Sequence, residues 1–591
     1  MNTTKYNKFP SVEVPGNYKV NLGWGKIGQA LSKQILSINK LPIKLVVECY
    51  QGALIDEIEE ALLQILRPVK TTLSASVILD EEKIKKMIFP NVTNDRIFGY
   101  LTHLEMEDFF DANKLASARK EINEIENGLI LIIGTGASLV CKDYDLLVYA
   151  DMPRWEIQKR MRQGEVDNLG VKNRNTEDWM LQYKQGYFVD WRVCDRLKKK
   201  LFGKIDFVLD TKSRDSPKMV ENEAILEAYR IAVNRPFSVM PFFDPGPWGG
   251  QWMKEVCNLD KEEENYAWCF NCVPEENSLL LKIGGEIIEL PSINLVFHDP
   301  IGLLGSSVYK HFGDEFPIRF DFLDTMGGGN LSLQVHPLTE YIQDKFGLQY
   351  TQDESYYILD AKEQATVYLG LKEGIDPNEC IANLKEALKG DKPFDDAKFI
   401  QKWPAKKHDH FLIPAGTIHC SGKDTMVLEI SATPYIFTFK LWDWGRLGMD
   451  GKPRPINIEH GEKVIQWNRN ASWTKENLVN KVKIVNKGDG WVEEFTGLHK
   501  LEFIETRRHW FTKQVSHNVK YGVEVVCLIE GEEIILESPD NKFEPFVIHF
   551  AEVFIVPANI KEYTIRPFGS SIGKQCGTIK AFVRPQISSI D

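Results

Sequence analysis

Little in these 591 residues marks a membrane, secreted or nucleic-acid-binding chain. No apolar run approaches the roughly 20 residues needed to cross a bilayer, and the first residues, MNTTKYNKFPSVEVPG, contain no apolar signal core. Positive charge is not in excess. Against 72 Lys and Arg stand 84 Asp and Glu, for a net charge of -12, which argues against general binding to nucleic acid or anionic lipid. A local basic pocket for a small anionic ligand remains compatible with that balance. The 10 cysteines are scattered, and only Cys269 and Cys272 form a CxxC. With no second CxxC and no neighbouring His, they do not make a zinc knuckle, and AWCFNCV reads as a strand rather than the helix start of a redox pair. Reduced thiols and a cytoplasmic location are the expectation.

Working phosphate loops are also missing. Lys44 to Cys49 (KLVVEC) is β-rich and leads through Tyr50-Gln51-Gly52 into a helical pattern, IDEIEEALLQIL, the setting of a P-loop. A P-loop needs GxxxxGK[ST], whose amides and Lys hold phosphates and whose hydroxyl holds magnesium. Here Glu48, Gln51 and Asp56 surround a single Gly, so negative charge stands where a triphosphate would lie. Gly134-Thr135-Gly136 begins a GxGxxG, but its third position is Leu139 and no acidic partner follows at the right distance, which argues against dinucleotide binding.

The length suggests three or four domains. Gly128 to Ile133 and Asp145 to Ala150 are continuous apolar runs, the pattern of buried parallel strands. The second leads to Asp151-Met152-Pro153-Arg154 and a basic helix, EIQKRMR, with a closing strand expected at Lys204 to Leu209. That order resembles the later strands and lid helix of nucleoside and uridine kinases, and implies a degenerate P-loop-kinase-like α/β domain over 1–240; any doubly wound α/β domain is the alternative. Four prolines between Asn234 and Gly250 mark a boundary. Beyond it, runs such as SLLLKIGGEIIEL suggest β-sandwich structure. Between Lys372 and Trp403 lies a helical interruption, with Ile381, Leu384, Ala387 and Leu388 on one face.

The chemistry gathers in three separated motifs. In LSLQVHP, strand alternation turns Gln334 and His336 the same way and Leu333 and Val335 into a core. Glu354 opens a second strand pattern, DESYYIL, and His419 follows the Pro414-Ala415-Gly416 turn. One amide oxygen, two imidazoles and a carboxylate suit a borderline divalent ion such as zinc. A lone His on a strand is usually a satisfied polar residue; His408 and His410, close to His419, are rival ligands.

These residues resemble class I mannose-6-phosphate isomerase, a zinc-dependent cupin-fold enzyme. The resemblance runs from Trp248-Gly249-Gly250 to the C-terminus and makes Gln334, His336, Glu354 and His419 the ligands of one Zn2+. It implies a metal-binding cupin domain at 241–371 and 404–490, split by a helical segment at 372–403, and interconversion of mannose 6-phosphate and fructose 6-phosphate. A second cupin-like barrel is expected at 491–591, because FIVPANIKEYTI echoes FLIPAGTIHCSG. Glu562 falls there at the position of His419, so that barrel is expected to lack metal, with His499 and His509 ordinary polar residues.

The chain departs from the family at two places. Where the family has EIQ and then a catalytic Arg before a YDWDR-like run, this chain reads Glu429-Ile430-Ser431 and FTFKLWDWGR. Lys440 takes the Arg position when Trp442-Asp443-Trp444 is the anchor, Phe439 when Glu429 is, and Arg446 lies in the same run. Lys supplies charge but not a bidentate fork. Asp321, in FPIRFDFLD, stands where the family commonly has Lys, with Arg319 the nearest cation. Glu429, Lys440 and Arg446 are the candidate catalytic residues. Two function classes stay open at this level: a zinc hexose-phosphate isomerase, and a regulatory protein that binds sugar phosphates with little turnover.

Overall fold

The computed structural model describes residues 5–390, 392–432, 437–449, 451, 454–497, 499 and 502–584. The outer ends of the two terminal regions, 1–4 and 585–591, lie outside the described residues.

The first region is built on a seven-stranded sheet: β1 (Asn21–Leu22), β2 (Ile43–Cys49), β3 (Lys70–Leu73), β4 (Leu129–Gly134), β5 (Leu146–Asp151), β6 (Phe207–Asp210) and β7 (Lys218–Glu221), in spatial order β1-β7-β6-β5-β2-β4-β3. Strands β2 to β6 run parallel, as their uninterrupted apolar sequences demand, since helices cover both faces. IDEIEEALLQIL forms helix α1 (Ile55–Leu66), with Ile58 and Leu62 buried against the sheet. The basic stretch after β5 forms α2 (Arg154–Arg162), and α3 spans Trp191–Leu201.

A cavity of about 1200 Å³ opens at the carboxyl ends of β2 and β4. This is where doubly wound sheets hold ligands, but here eight Asp and Glu side chains line it against Lys172, Arg174 and Arg214. The turn after β2 is closed by its own surroundings: Gln51 Oε1 accepts from Trp191 Nε1, and the Gly52 carbonyl accepts from the buried Arg160. Glu48 takes the amides of Gly136 and Ser138, so a carboxylate already fills the anion nest of the glycine turn. Burial outweighs those bonds and pushes Glu48 up to about 7.

The second region is a barrel of two facing antiparallel sheets. Its strands are β8 (Phe242–Asp244), β9 (Trp268–Cys272), β10 (Arg319–Asp324), β11 (Leu333–Val335), β12 (Asp353–Ala361), β13 (Thr366–Leu371), β14 (Ile400–Pro404), β15 (His410–Ile413), β16 (His419–Ser421), β17 (Thr425–Ala432) and β18 (Phe439–Trp442). One sheet has the order β15-β12-β17-β10-β9-β8, the other β14-β13-β16-β11-β18. The proline-rich segment supplies only the edge strand β8. Helix α4 (Pro377–Lys389) is the interruption; its buried face is Cys380, Leu384 and Ala387, whereas Leu388 is exposed, because the stripe runs one residue earlier than the sequence pattern indicates.

SLLLKIGGEIIEL does not enter either barrel sheet. It folds as a hairpin, Ser278–Ile283 with Glu286–Pro291, and pairs in parallel with Ser11–Val14 from the beginning of the chain. Its first strand is buried on both faces rather than alternating. A third region, from Lys483, makes six-stranded and four-stranded sheets packed on each other. There Lys580 pairs with Glu524 at 2.8 Å in the interior, and Tyr563 donates to the other carboxylate oxygen. His509 is buried beside Glu493 and the His517 ring.

The regions share one hydrophobic cluster, running from Val12 to Val583. Phe98 stacks on Phe437 at 5.3 Å and meets Phe439 edge-on, so the first region presses on the barrel at β18. All 10 cysteines are free and buried, Cys269 and Cys272 on β9 among them, and burial raises both thiols well above the ordinary range. No described helix is long and apolar enough to cross a membrane.

Candidate metal centre

Register builds the site. On one sheet His419, Gln334 and Lys440 lie directly opposite one another across β16, β11 and β18, which puts their side chains on a common face. His336 follows two residues after Gln334 on that face. On the facing sheet, Glu354, Ser431 and Arg319 form one cross-strand row, and Tyr356, Glu429 and Asp321 the next. Both faces look into the barrel, and Glu354 stands between the two imidazoles: His419 Nε2 is 2.8 Å from Oε1 and His336 Nε2 is 3.1 Å from Oε2.

The donor set has the character of ligands around a shared ion. One ligand atom from each of His336, Glu354 and His419 lies within 4.8 Å of the others, and all three side chains are fully buried. His336 Nδ1 donates to the Phe437 carbonyl at 3.0 Å and His419 Nδ1 to the Thr417 carbonyl at 2.9 Å. Those bonds fix the proton on Nδ1 and leave each Nε2 lone pair aimed at the centre. Among the described residues, His336 Nε2 and Glu354 Oε1 make no hydrogen bond despite complete burial, an expense that an ion removes. Gln334 places its amide 3.2 Å from His419 Nε2, and its two ends exchange by rotation, so its oxygen can face the same point. The cluster fits one zinc ion.

Electrostatics separates the carboxylates. Burial opposes ionisation of Glu354, yet the imidazoles of His336 and His419, when they carry a second proton on Nε2, hold it well below the ordinary range. Burial, followed by the charge of Glu354, drives Glu429 well above it. Asp321 is pushed up to about 7, chiefly by burial, with Arg319 opposing. Arg319 lies 3.5 Å from Glu275. Lys440 is lowered to about 7 by burial and by Arg454. Beside it, Arg446 and Arg454 both bind Asp443, at 2.5 and 2.7 Å.

Sequence reasoning brought His408 and His410 close to the site, but they occupy the other side of the sheet. His410 pairs with Tyr357, whose side chain points away from that of Tyr356, and His408 binds the Tyr357 hydroxyl. Residues missed were those that position ligands. Gln352 Nε2 donates to Glu354 at 2.8 Å, Asp353 accepts the Ala415 amide, and the buried Arg469 donates to the carbonyls of Pro414 and Ala415. The signal for Gln352 and Asp353 was their adjacency to Glu354; Arg469 carried none, because it is distant in sequence.

Two facing sheets with a His–Glu–His centre between them define a metal-binding β-barrel, here joined to an α/β region. That α/β region, residues 23–234, matches a family model described as "Domain of unknown function (DUF8485)". The chain is similar to "Mannose-6-phosphate isomerase ManA" of Bacillus subtilis, 28% identical over 154 residues, which are 26% of this chain and 45% of that protein. It is similar also to "Mannose-6-phosphate isomerase" of Streptococcus mutans, 26% identical over 230 residues, 38% of this chain and 66% of that one. The matches thus span about half and about two thirds of these relatives' lengths. Among solved structures, mannose 6-phosphate isomerase from Bacillus subtilis aligns with a TM-score of 0.48 at 18% identity, covering 59% of this chain and 99% of that one.

Proposed function

We propose that the chain is a zinc-dependent aldose-ketose isomerase interconverting mannose 6-phosphate and fructose 6-phosphate. The observation that carries this reading is the buried His336–Glu354–His419 centre, with both Nδ1 protons tied to backbone and Gln334 adjoining. Gln334, His336, Glu354 and His419 would hold the ion, which when bound supplies Lewis acidity toward sugar oxygens. The reaction moves a proton between C1 and C2 through an enediol, so the protein must carry a proton and stabilise a developing oxyanion. Glu429 is suited to the first task, because burial and the charge of Glu354 raise its carboxyl well above the ordinary range and so favour the form that carries a proton. Lys440 is suited to the second, lying on the same face as Gln334, with Arg446 beside it. The buried free thiols agree with a reducing cytoplasm.

For residues 1–240 we propose a P-loop-kinase-like fold that has lost its phosphate loop, since its first long parallel strand, β2, is central and its connections reverse on either side. The proposed divisions that follow are 241–371 and 404–490 for the metal-binding cupin, 372–403 for the helical segment and 491–591 for the second barrel. A coupled assay with mannose 6-phosphate tests the central reading. Formation of fructose 6-phosphate is expected; saturable sugar-phosphate binding without turnover would show a binder instead.

A further inference from the structure

Between the α/β region and the metal-binding barrel lies a second cavity, of about 570 Å³, within the range of small-molecule sites. Arg154 on α2 and Arg192 on α3 border it from one side, Glu275, Glu315 and Tyr350 from the other. The two guanidinium groups are incompletely used. Arg154 is 2% exposed, and one of its nitrogens binds Asp195 at 2.5 Å while Nη1 has no partner among the described residues. Arg192 donates through Nε to the Tyr187 carbonyl and lies 4.8 Å over the Tyr187 ring; its Nη2, also buried, has no partner among the described residues. Buried donors are rarely left open, and two at one cavity call for an acceptor.

The facing acids do not supply it. Asp195 is shared between Arg154 and the Tyr50 hydroxyl, Glu315 accepts from Tyr350, and Glu275 lies against Arg319. Burial further raises the Glu315 carboxyl, which weakens it as a counter-charge. A carboxylate can satisfy one guanidinium fork, whereas a phosphate monoester, with three terminal oxygens, can take donors from two at once.

We propose that this inter-region cavity is a binding site for a phosphate monoester dianion, held by Arg154 and Arg192. The site rests on the cavity and its open donors rather than on the isomerase reading. Its occupant is either the sugar-phosphate substrate of that reaction or a separate phosphorylated effector, and both offer the same dianion.

The test uses the full chain, zinc-loaded, with inorganic phosphate as the probe in a calorimetric titration. Saturable binding is expected, weakened at least about tenfold in Arg192→Gln and less in Arg192→Lys, which keeps the charge and loses the fork. Zinc content and unfolding temperature should match the unsubstituted chain; if Arg192→Gln does not fold, Arg192→Lys carries the comparison. A parallel rise in KM for mannose 6-phosphate at constant kcat identifies the occupant as substrate, and lost phosphate binding with unchanged KM identifies an effector. No saturable binding by the unsubstituted chain, or binding indifferent to both substitutions, overturns the proposal.

Discussion

Lys440 is the residue on which the proposed chemistry turns, because it stands in a row with Gln334 and His419 and is lowered to about 7 by burial. If its ammonium meets the enediolate, the benefit falls on the transition state and little on the bound substrate. Lys440→Ala should then lower kcat on the order of 100-fold with KM and zinc content nearly unchanged, while Lys440→Arg keeps appreciable activity. A kcat within about twofold of the original, together with abolished turnover in Arg446→Ala, would transfer the charge role to Arg446. His410 offers a separate residue-scale prediction. Burial, aided by Arg508, lowers it to about 3, against about 6.5 in an unfolded chain. The unfolded chain therefore binds the proton first, so the stability contribution is complete above about pH 6.5 and is lost as pH falls toward 3, by about 1.4 kcal/mol per unit. In urea unfolding, His410→Phe should gain about 2 kcal/mol relative to the unsubstituted chain on going from about pH 7 to 5. Parallel pH curves would rule this out.

At the scale of elements, the turn between β15 and β16 shows how much of the centre is placed from outside. Arg469 holds the carbonyls of Pro414 and Ala415, Asp353 holds the Ala415 amide, and His419 follows immediately on β16. Arg469→Leu should therefore cost about 2 kcal/mol or more of stability and weaken zinc affinity about 10- to 100-fold, although it contacts no ion. Unchanged zinc affinity in the folded variant would show that the turn holds itself. This was the illegible part of the site. Gln334, His336, Glu354 and His419 could be proposed from local motifs, since strand alternation and a Pro-Ala-Gly turn are local facts. Arg469 and the exclusion of His408 and His410 depend on which strands become neighbours. SLLLKIGGEIIEL illustrates the same limit: its hairpin form is local, but its pairing with Ser11–Val14 joins segments far apart in the chain.

At the scale of the whole molecule, a shared hydrophobic cluster ties the α/β region to the barrel, so the first region acts as part of one body with the metal centre. The parallel strands were legible as apolar runs, and so was the lack of a GxxxxGK[ST] pattern after the first long one. The filling of the glycine turn by Glu48 was legible only in three dimensions. With that carboxylate in place and eight acidic side chains around the adjoining cavity, magnesium-dependent ATP binding should be undetectable by calorimetry; micromolar affinity would contradict it. The most direct test of the metal-centre reading is a zinc titration of chelator-treated chain, following mannose 6-phosphate isomerisation and bound zinc together. Activity should return in proportion to zinc and level off at one ion per chain, and His336→Ala and Glu354→Gln should lose zinc and turnover in step. Full activity in the zinc-free chain, or full zinc content in both variants, would contradict it.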